Sequence, residues 1–578
     1  MSGLQAESPR LNPAEGPKAF PVYLLLGLVQ GVALWLLTMP EASLRFLEHP
    51  ALHSALIHFA AGAPLAWYLL AGSPVGPRTQ VGIAVTIAVL IGGLAAHAVA
   101  TSSGGREPFS FMLAAAVLSY MLVALASGFD PQRRWFSYTR LFDHGWRNVL
   151  LVGASGALTG ILWVLLWGAA FLLAALGIET LSTLLNERVV LAVVTCTAFA
   201  FFIRQATISS DALIALRKFW LTLNTWFLPL ALLLAIVWVG ALAVVGPKPL
   251  FETRRAAQLL FWFVALAVVF MNAAHQDGRA VPYGRRLSQV TTWAWLSVPV
   301  LAAVGLWALA VRIGQHGWTV DRLWAAVVGG MAVLYGVGYS ASTAVRSRWM
   351  PTVETTNIVA ALALCVVIVL STSPIADFRK VAVQSQLARL RAGQAGVAAL
   401  DLAALKREGG QWGRDALEKL AVDETVAPAL RSEAAAQLAR VGPSQEQNPE
   451  LAMAALRKDL RVLPSGTAPD PLLLALLARA DADWSERMCV RDSSGCAVWM
   501  VDLDGDGTAE ALLLRETNRF VSATLYAKGP NGWKREADLQ GSPMSLADWT
   551  AAIDAKSAAP VQARWPDLQV GDRRYSIR

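Results

Sequence analysis

The stretch RVVLAVVTCTAFAFFIR, Arg188 to Arg204, decides how this chain is threaded. Between its two arginines lie 15 uncharged residues, fewer than the roughly 20 that a helix needs to cross the apolar core of a bilayer. Long basic side chains can lie along apolar surface and hold their charge at an interface, which would make the stretch a short crossing. The other reading is a re-entrant segment. The choice sets the side of the membrane on which every later loop stands.

Ten further stretches are long and apolar enough to be considered with it. Together the eleven lie near 20–39, 52–72, 80–101, 109–128, 148–178, 189–206, 219–245, 257–274, 290–311, 322–341 and 354–373. Cytoplasmic loops of membrane proteins carry an excess of Lys and Arg. With eleven spans and the N-terminus inside, the inner segments hold 15 basic residues: Arg10, Lys18, Arg78, Arg133, Arg134, Arg140, Arg147, Arg204, Arg217, Lys218, Arg279, Arg285, Arg286, Arg346 and Arg348. The outer ones hold 8: Arg45, Arg106, Arg188, Lys248, Arg254, Arg255, Arg312 and Arg322. Without the sixth span the tally becomes 12 against 11, which carries no bias. Eleven spans are therefore expected, with the C-terminal region outside.

The whole chain agrees with this class. Of its 578 residues 55% are hydrophobic and only 16% charged, with 22 Trp, a balance foreign to soluble domains. The net charge of +8 is scattered through short loops, so it reads as a topology signal and excludes a nucleic-acid tract. The polar opening MSGLQAESPRLNPAEGPKAF leads into an apolar run with no small-residue cleavage site, and the first span is expected to be retained. The expected domains are a cytoplasmic tail at 1–19, a helical bundle at 20–374, a helical region at 375–485 and a β-rich domain at 486–578, the last two outside. The fold class is thus an α-helical polytopic membrane protein with a C-terminal soluble α+β domain.

After Pro374 the apolar period becomes that of amphipathic helices, expected at about 375–392, 396–408, 412–421, 426–440, 448–459 and 471–479. From Cys489 it becomes that of strands: CAVWMVDL, AEALLLRE, FVSATLYAK and GWKREADL. Cys196 and Cys365 fall within apolar runs. Cys489 and Cys496 bracket VRDSSG, expected as a tight hairpin whose base a disulfide could close in an oxidising compartment; two unlinked structural cysteines are the alternative.

Three separated stretches carry a resemblance: LLLGLVQGVALWLL, RIGQHGWTVDRLWAAVVGGMAVLYGVGY and SQLARLRAGQAGVAALDLAALKREGGQWGRDALEKLA. They look like the bacterial multipass family catalogued as domain of unknown function 4153. The resemblance implies a bacterial inner-membrane protein and supplies no catalytic residues.

In VDLDGDGTAEALLL, Val501 to Leu514, Asp502, Asp504 and Asp506 alternate before Gly507, and Glu510 follows. Carboxylates alternating around a tight turn can face one hard cation, with the Thr508 carbonyl a further ligand, and calcium suits such oxygens. A helix-loop-helix calcium site needs Glu at the twelfth position, where Leu513 stands, so a calcium loop between strands is expected. It resembles one calcium loop of a phenylalanine-glycine/glycine-alanine-proline propeller repeat, but a single copy implies no propeller. The alternative is an Asp-Gly turn whose carboxylates cap backbone amides.

Within the spans the sequence holds no central Asp or Glu. The candidate intramembrane polar residues are Gln30, His58 and His97, with Asn224 and Asn272 beside them; each is read first as an interhelical hydrogen-bonding group. Gly27 with Gly31 and Gly156 with Gly160 form close-packing motifs. His49, His53 and His58 after Glu48 could in principle hold a metal, though Pro50 breaks their spacing. The leading expectation is a non-catalytic membrane protein that serves envelope maintenance, assembly or passage of a small or lipidic substrate. Its partners would be the bilayer, and envelope proteins or a lipid-linked substrate. Two other classes stay open: a transferase using lipid-linked donors, for which Glu41 and Glu48 are the acids available in the first outer loop, and a secondary transporter.

Overall fold

The computed structural model describes residues 20–39, 49–102, 107–253, 255–345, 348–392 and 401–439, then 453–454, 456–458, 460–464, 470–478, 484–491, 495–517, 520–529, 532–539, 544–558, 568–570 and 573–575. The N-terminal tail, the loop at 40–48 with Glu41 and Glu48, Arg254, Arg346 and the turn at 492–494 lie outside them. The chain divides into two compact units, Met1–Ala416 and Leu417–Arg578.

Each expected span is a helix in the first unit: α1 (Phe20–Thr38), α2 (Pro50–Leu70), α3 (Pro77–Ala100), α4 (Phe109–Gly128), α5 (Tyr138–Ala175), α6 (Arg188–Ile208), α7 (Phe227–Val245), α8 (Ala256–His275), α9 (Ser297–His316), α10 (Val320–Ser340) and α11 (Val353–Ser371). Among the described residues ten segments are long and apolar enough to cross a membrane, α6 among them. The exception is α2. Its 21 residues would reach about 31 Å at 1.5 Å per residue, but His53, His58 and Pro64 dilute its apolarity.

The direction of α6 follows from its packing on α1. A Cβ on Gly27 would lie 2.8 Å from the Cys196 carbonyl oxygen and from Ala200 Cβ, and one on Gly31 would lie 2.6 Å from Val193 Cα. As α1 advances, its partners on α6 recede, so the two helices are antiparallel. Only glycine admits so close an approach of two backbones. Gly156 and Gly160 have open space where a Cβ would stand, so the second expected packing motif is not one.

Contacts at the helix ends form two rims. On one, the His53 ring bonds the Leu37 carbonyl, Ser54 donates to Glu107, and His97 Nε2 lies 3.1 Å from Asp377 Oδ2. On the other, the Ser137 amide donates to Gly128 at 2.8 Å and His275 Nε2 faces Glu354 Oε1 at 3.6 Å. The end of α1 and the start of α2 share the first rim, as do the end of α3 and the Glu107 segment before α4. Tyr68, near the end of α2, stacks on Tyr23, near the start of α1, so α2, and with it α3, traverses the unit.

Two spans begin later than their apolar runs because of proline, which has no N–H and crowds the carbonyl four residues back. Pro229 and Pro299 sit in the first turns of α7 and α9, and separate short helices, Ser210–Thr225 and Arg285–Ala294, precede them. The Thr225 carbonyl, which Pro229 cannot bond, accepts instead from the Tyr283 hydroxyl at 2.5 Å.

Beyond the spans, α12 (Phe378–Arg391) and the start of α13 (Leu402–Val422) belong to the first unit. The expected break at the Gly-Gly pair is real: Gly410 has φ +57° inside α13, and a Cβ there would come 2.3 Å from the Thr101 carbonyl oxygen.

The second unit contains the helices α14 (Pro428–Ala439), α15 (Pro471–Leu477), α16 (Trp484–Arg491) and α17 (Leu546–Asp554). Its five-stranded sheet runs in the order β1 (Arg461–Leu463), β2 (Cys496–Val501), β3 (Glu510–Thr517), β4 (Phe520–Gly529), β5 (Gly532–Leu539). The four expected strands are β2 to β5, all antiparallel neighbours. The short β1 comes from the expected helical region and pairs parallel to β2, Val462 opposite Val498. The run ALLL is apolar throughout because both faces of the sheet are covered. Val498, Ala511 and Leu513 pack with Leu473, Leu474 and Cys489, whereas Ala497, Leu512 and Leu514 pack with Leu546 and Ile553.

Candidate functional site

The acidic residues form the loop between β2 and β3, closed by the pair Val501 and Glu510. Each carboxylate is fixed by backbone amides. Asp502 accepts from Gly505 N at 2.7 Å and from Gly507 N at 3.0 Å. Asp504 accepts from Asp506 N at 3.1 Å, Asp506 from Thr508 N at 2.7 Å, and Glu510 from Leu503 N at 2.7 Å. Gly505 and Gly507 take φ +78° and +87°, which lets the chain turn sharply enough for these bonds.

This arrangement brings three of the expected ligands together. Asp502, Asp504 and Glu510 each offer an oxygen within 4.8 Å of the others, and they could hold a metal ion. Oxygens about 2.3–2.6 Å from a central calcium ion stand at most about 5 Å apart, so the spacing fits. An oxygen that accepts one amide keeps a second lone pair for a cation. Asp506, whose carboxylate accepts the Thr508 amide, is not among the three. Glu510 is 8% exposed, whereas Asp504 stands in solvent.

The loop rests on a braced sheet. Cys489 and Cys496 form a disulfide with Cα atoms 5.8 Å apart, but it joins α16 to β2 rather than closing a β-hairpin. The residues before the turn are helical, with Glu486 in the first turn of Trp484–Arg491, and buried Glu486 accepts the Tyr526 hydroxyl of β4. Across the sheet, Asp470 at the start of α15 accepts Lys528 Nζ at 2.9 Å and Trp533 Nε1 at 3.0 Å.

The expected intramembrane residues do not gather at one place. Gln30 donates to the Ala61 carbonyl of α2 at 3.1 Å. His58 bonds the Ser54 carbonyl at 3.0 Å and faces Glu107 at 3.7 Å, whereas His53 bonds the Leu37 carbonyl. His97 joins a separate cluster. Its partner Asp377, 1% exposed, also accepts Arg379 Nη2 at 2.7 Å, and the Arg379 guanidinium lies over the Trp412 ring. Asn224 donates to the Trp220 carbonyl of its own helix at 2.8 Å.

A closed ring of hydrogen bonds at the other rim escaped the sequence reading except for Asn272. Asn272 Nδ2 donates to Tyr339 Oη at 3.0 Å, Tyr339 donates to Asn357 Oδ1 at 2.5 Å, and Asn357 Nδ2 donates back to Asn272 Oδ1 at 2.6 Å. Asn357 Nδ2 also reaches Tyr138 Oη at 3.0 Å. The ring ties α5, α8, α10 and α11 together. Next to it, Arg348 Nη1 pairs with Glu354 at 2.8 Å beside buried His275. The lone Asn357 in the apolar run of α11 was the available signal. Compared with known proteins, the chain matches no family model, no curated protein and no solved structure.

Proposed function

We propose that this chain is a bacterial inner-membrane protein that crosses the bilayer eleven times, with its N-terminus in the cytoplasm and a periplasmic tail stiffened by calcium. Its role is non-catalytic: the bundle is a scaffold for envelope maintenance or assembly, and envelope proteins are its partners. Membership of the domain of unknown function 4153 family belongs to the same proposal and rests on the three stretches that resemble it.

The observation that carries the reading is the Asn272, Tyr339 and Asn357 ring. Amides inside a bundle that complete one another's hydrogen bonds hold helices in fixed register, as a scaffold requires. The cation loop supports it from the tail, since its carboxylates organise a hairpin between two strands. A periplasm open to external calcium could fill even a site with a dissociation constant of about 10⁻⁴–10⁻³ M. The test is to replace Glu41 and Glu48 by Gln in cells that depend on the protein. An unchanged phenotype at normal expression is expected. Loss of the phenotype at normal expression would instead support a transferase using lipid-linked donors.

A further inference from the structure

The basic residues that run against the charge bias are not spread evenly. Of the 8 on the outer side, five, Lys248, Arg254, Arg255, Arg312 and Arg322, fall in the segment before α8, near the end of α9 or in the first turn of α10. Three of them, Arg255, Arg312 and Arg322, stand around a cleft of about 1000 Å³ formed between α8, α9 and α10. Its walls are apolar: Phe261 and Leu309 are each 5% exposed, and Trp262 presents its ring outward.

The head of the cleft has a preset geometry. Arg322 Nη1 donates to the Gly317 carbonyl at 2.8 Å, which holds its guanidinium at the loop between α9 and α10. Among the described residues neither Arg255 nor Arg312 enters an ion pair. One carboxylate, Asp321, lines the cleft against the three arginines, so the lining carries a surplus of two positive charges. Guanidinium forks match phosphate oxygens, and the walls offer an alkyl chain a surface like its own.

We propose that this cleft binds an anionic phospholipid, with its phosphate among Arg255, Arg312 and Arg322 and an acyl chain along Phe261, Trp262 and Leu309. Placing the cleft in the outer leaflet rests on the eleven-span reading, but binding itself does not. A failed topology test would move the site to the other leaflet and leave the affinity unchanged.

The experiment titrates the purified full-length chain in a zwitterionic detergent with short-chain phosphatidylglycerol, matched phosphatidylcholine and inorganic phosphate, read by native mass spectrometry. The expected result is phosphatidylglycerol binding at least about tenfold tighter than phosphatidylcholine, as charge-assisted bonds imply. Arg255→Gln with Arg312→Gln removes that preference, and Arg255→Gln alone, at the exposed start of α8, weakens it. Ala265→Trp, which fills the cleft, weakens binding of both lipids. Equal binding of the two lipids by the native chain, or an unaltered preference in the folded double variant, would overturn the proposal. So would inorganic phosphate competing as well as the lipid and binding undiminished in Ala265→Trp, which would make this a phosphate site without a lipid.

Discussion

Calcium should slow amide exchange in the loop at 502–510, and Asp504→Ala should abolish the effect. In the folded loop the amides of Leu503, Gly505, Gly507 and Thr508 all donate to its carboxylates, so their exchange reports loop opening. An ion that binds only the closed loop multiplies the closed population by 1 + [L]/Kd. For a dissociation constant of about 10⁻⁴–10⁻³ M, about 10 mM calcium slows exchange by roughly 10- to 100-fold, or about 1.4–2.7 kcal/mol. Asp504 itself accepts only the Asp506 amide at 3.1 Å, so without calcium its loss costs about 1 kcal/mol. The assay is hydrogen exchange with mass spectrometry on the full chain in detergent, following the peptide that covers the loop. Exchange that ignores calcium in the native chain, or slows equally in Asp504→Ala, would refute the assignment and leave a turn whose carboxylates only cap amides.

Other expectations follow from single contacts. Gly31→Ala drives a methyl group to 2.6 Å from Val193 Cα and should cost about 1–3 kcal/mol in detergent unfolding, whereas Gly156→Ala, with nothing within 4 Å, should be close to neutral. Thiol titration of the denatured chain should find two reactive cysteines, Cys196 and Cys365, without reductant and four with it. Replacing Cys489 by Ser opens a loop of about 8 residues and should cost roughly 2–3 kcal/mol. The Lys528 ammonium, with the Trp533 indole and the Leu472 amide, holds the Asp470 carboxyl down at about 2. Because this folded-state value lies below the unfolded one of about 3.9, its stabilisation is complete above about pH 4 and lost as pH falls through 2. Lys528 is 43% exposed, so solvent screening limits the effect to about 1 kcal/mol. Urea midpoints of the native chain and Asp470→Asn should therefore converge between pH 4 and pH 2; a constant gap would contradict the ion pair's role.

Apolar runs and strand alternation were legible because each reflects a residue's own partition between water and oil. All eleven runs are helices, and CAVWMVDL through GWKREADL are strands in the expected places. Helix starts were harder, because Pro229 and Pro299 act four residues back and move the start away from the edge of the run. The parallel strand Arg461–Leu463 was hidden because three residues have no readable period, and two helices lie between it and its partner Cys496–Val501. At the candidate site, the spacing of Asp502, Asp504 and Glu510 was enough to foresee their convergence. It could not show that Asp506 stands outside that group, since this depends on the turn the loop takes at Gly505 and Gly507. The Asn272, Tyr339 and Asn357 ring joins residues from three helices, with Asn272 separated from the other two by 67 and 85 positions, and nothing local marks them as partners.

Cysteine labelling across the membrane tests the threading of the chain most directly. Arg133 and Lys534 are both exposed, the first before α5 and the second in the tail. In intact cells an impermeant maleimide should label Lys534→Cys at once and Arg133→Cys only after the inner membrane is opened. Labelling of both on the same side would mean that an even number of the seven helices between them cross, as when Arg188–Ile208 does not, and the reverse pattern would place the tail in the cytoplasm.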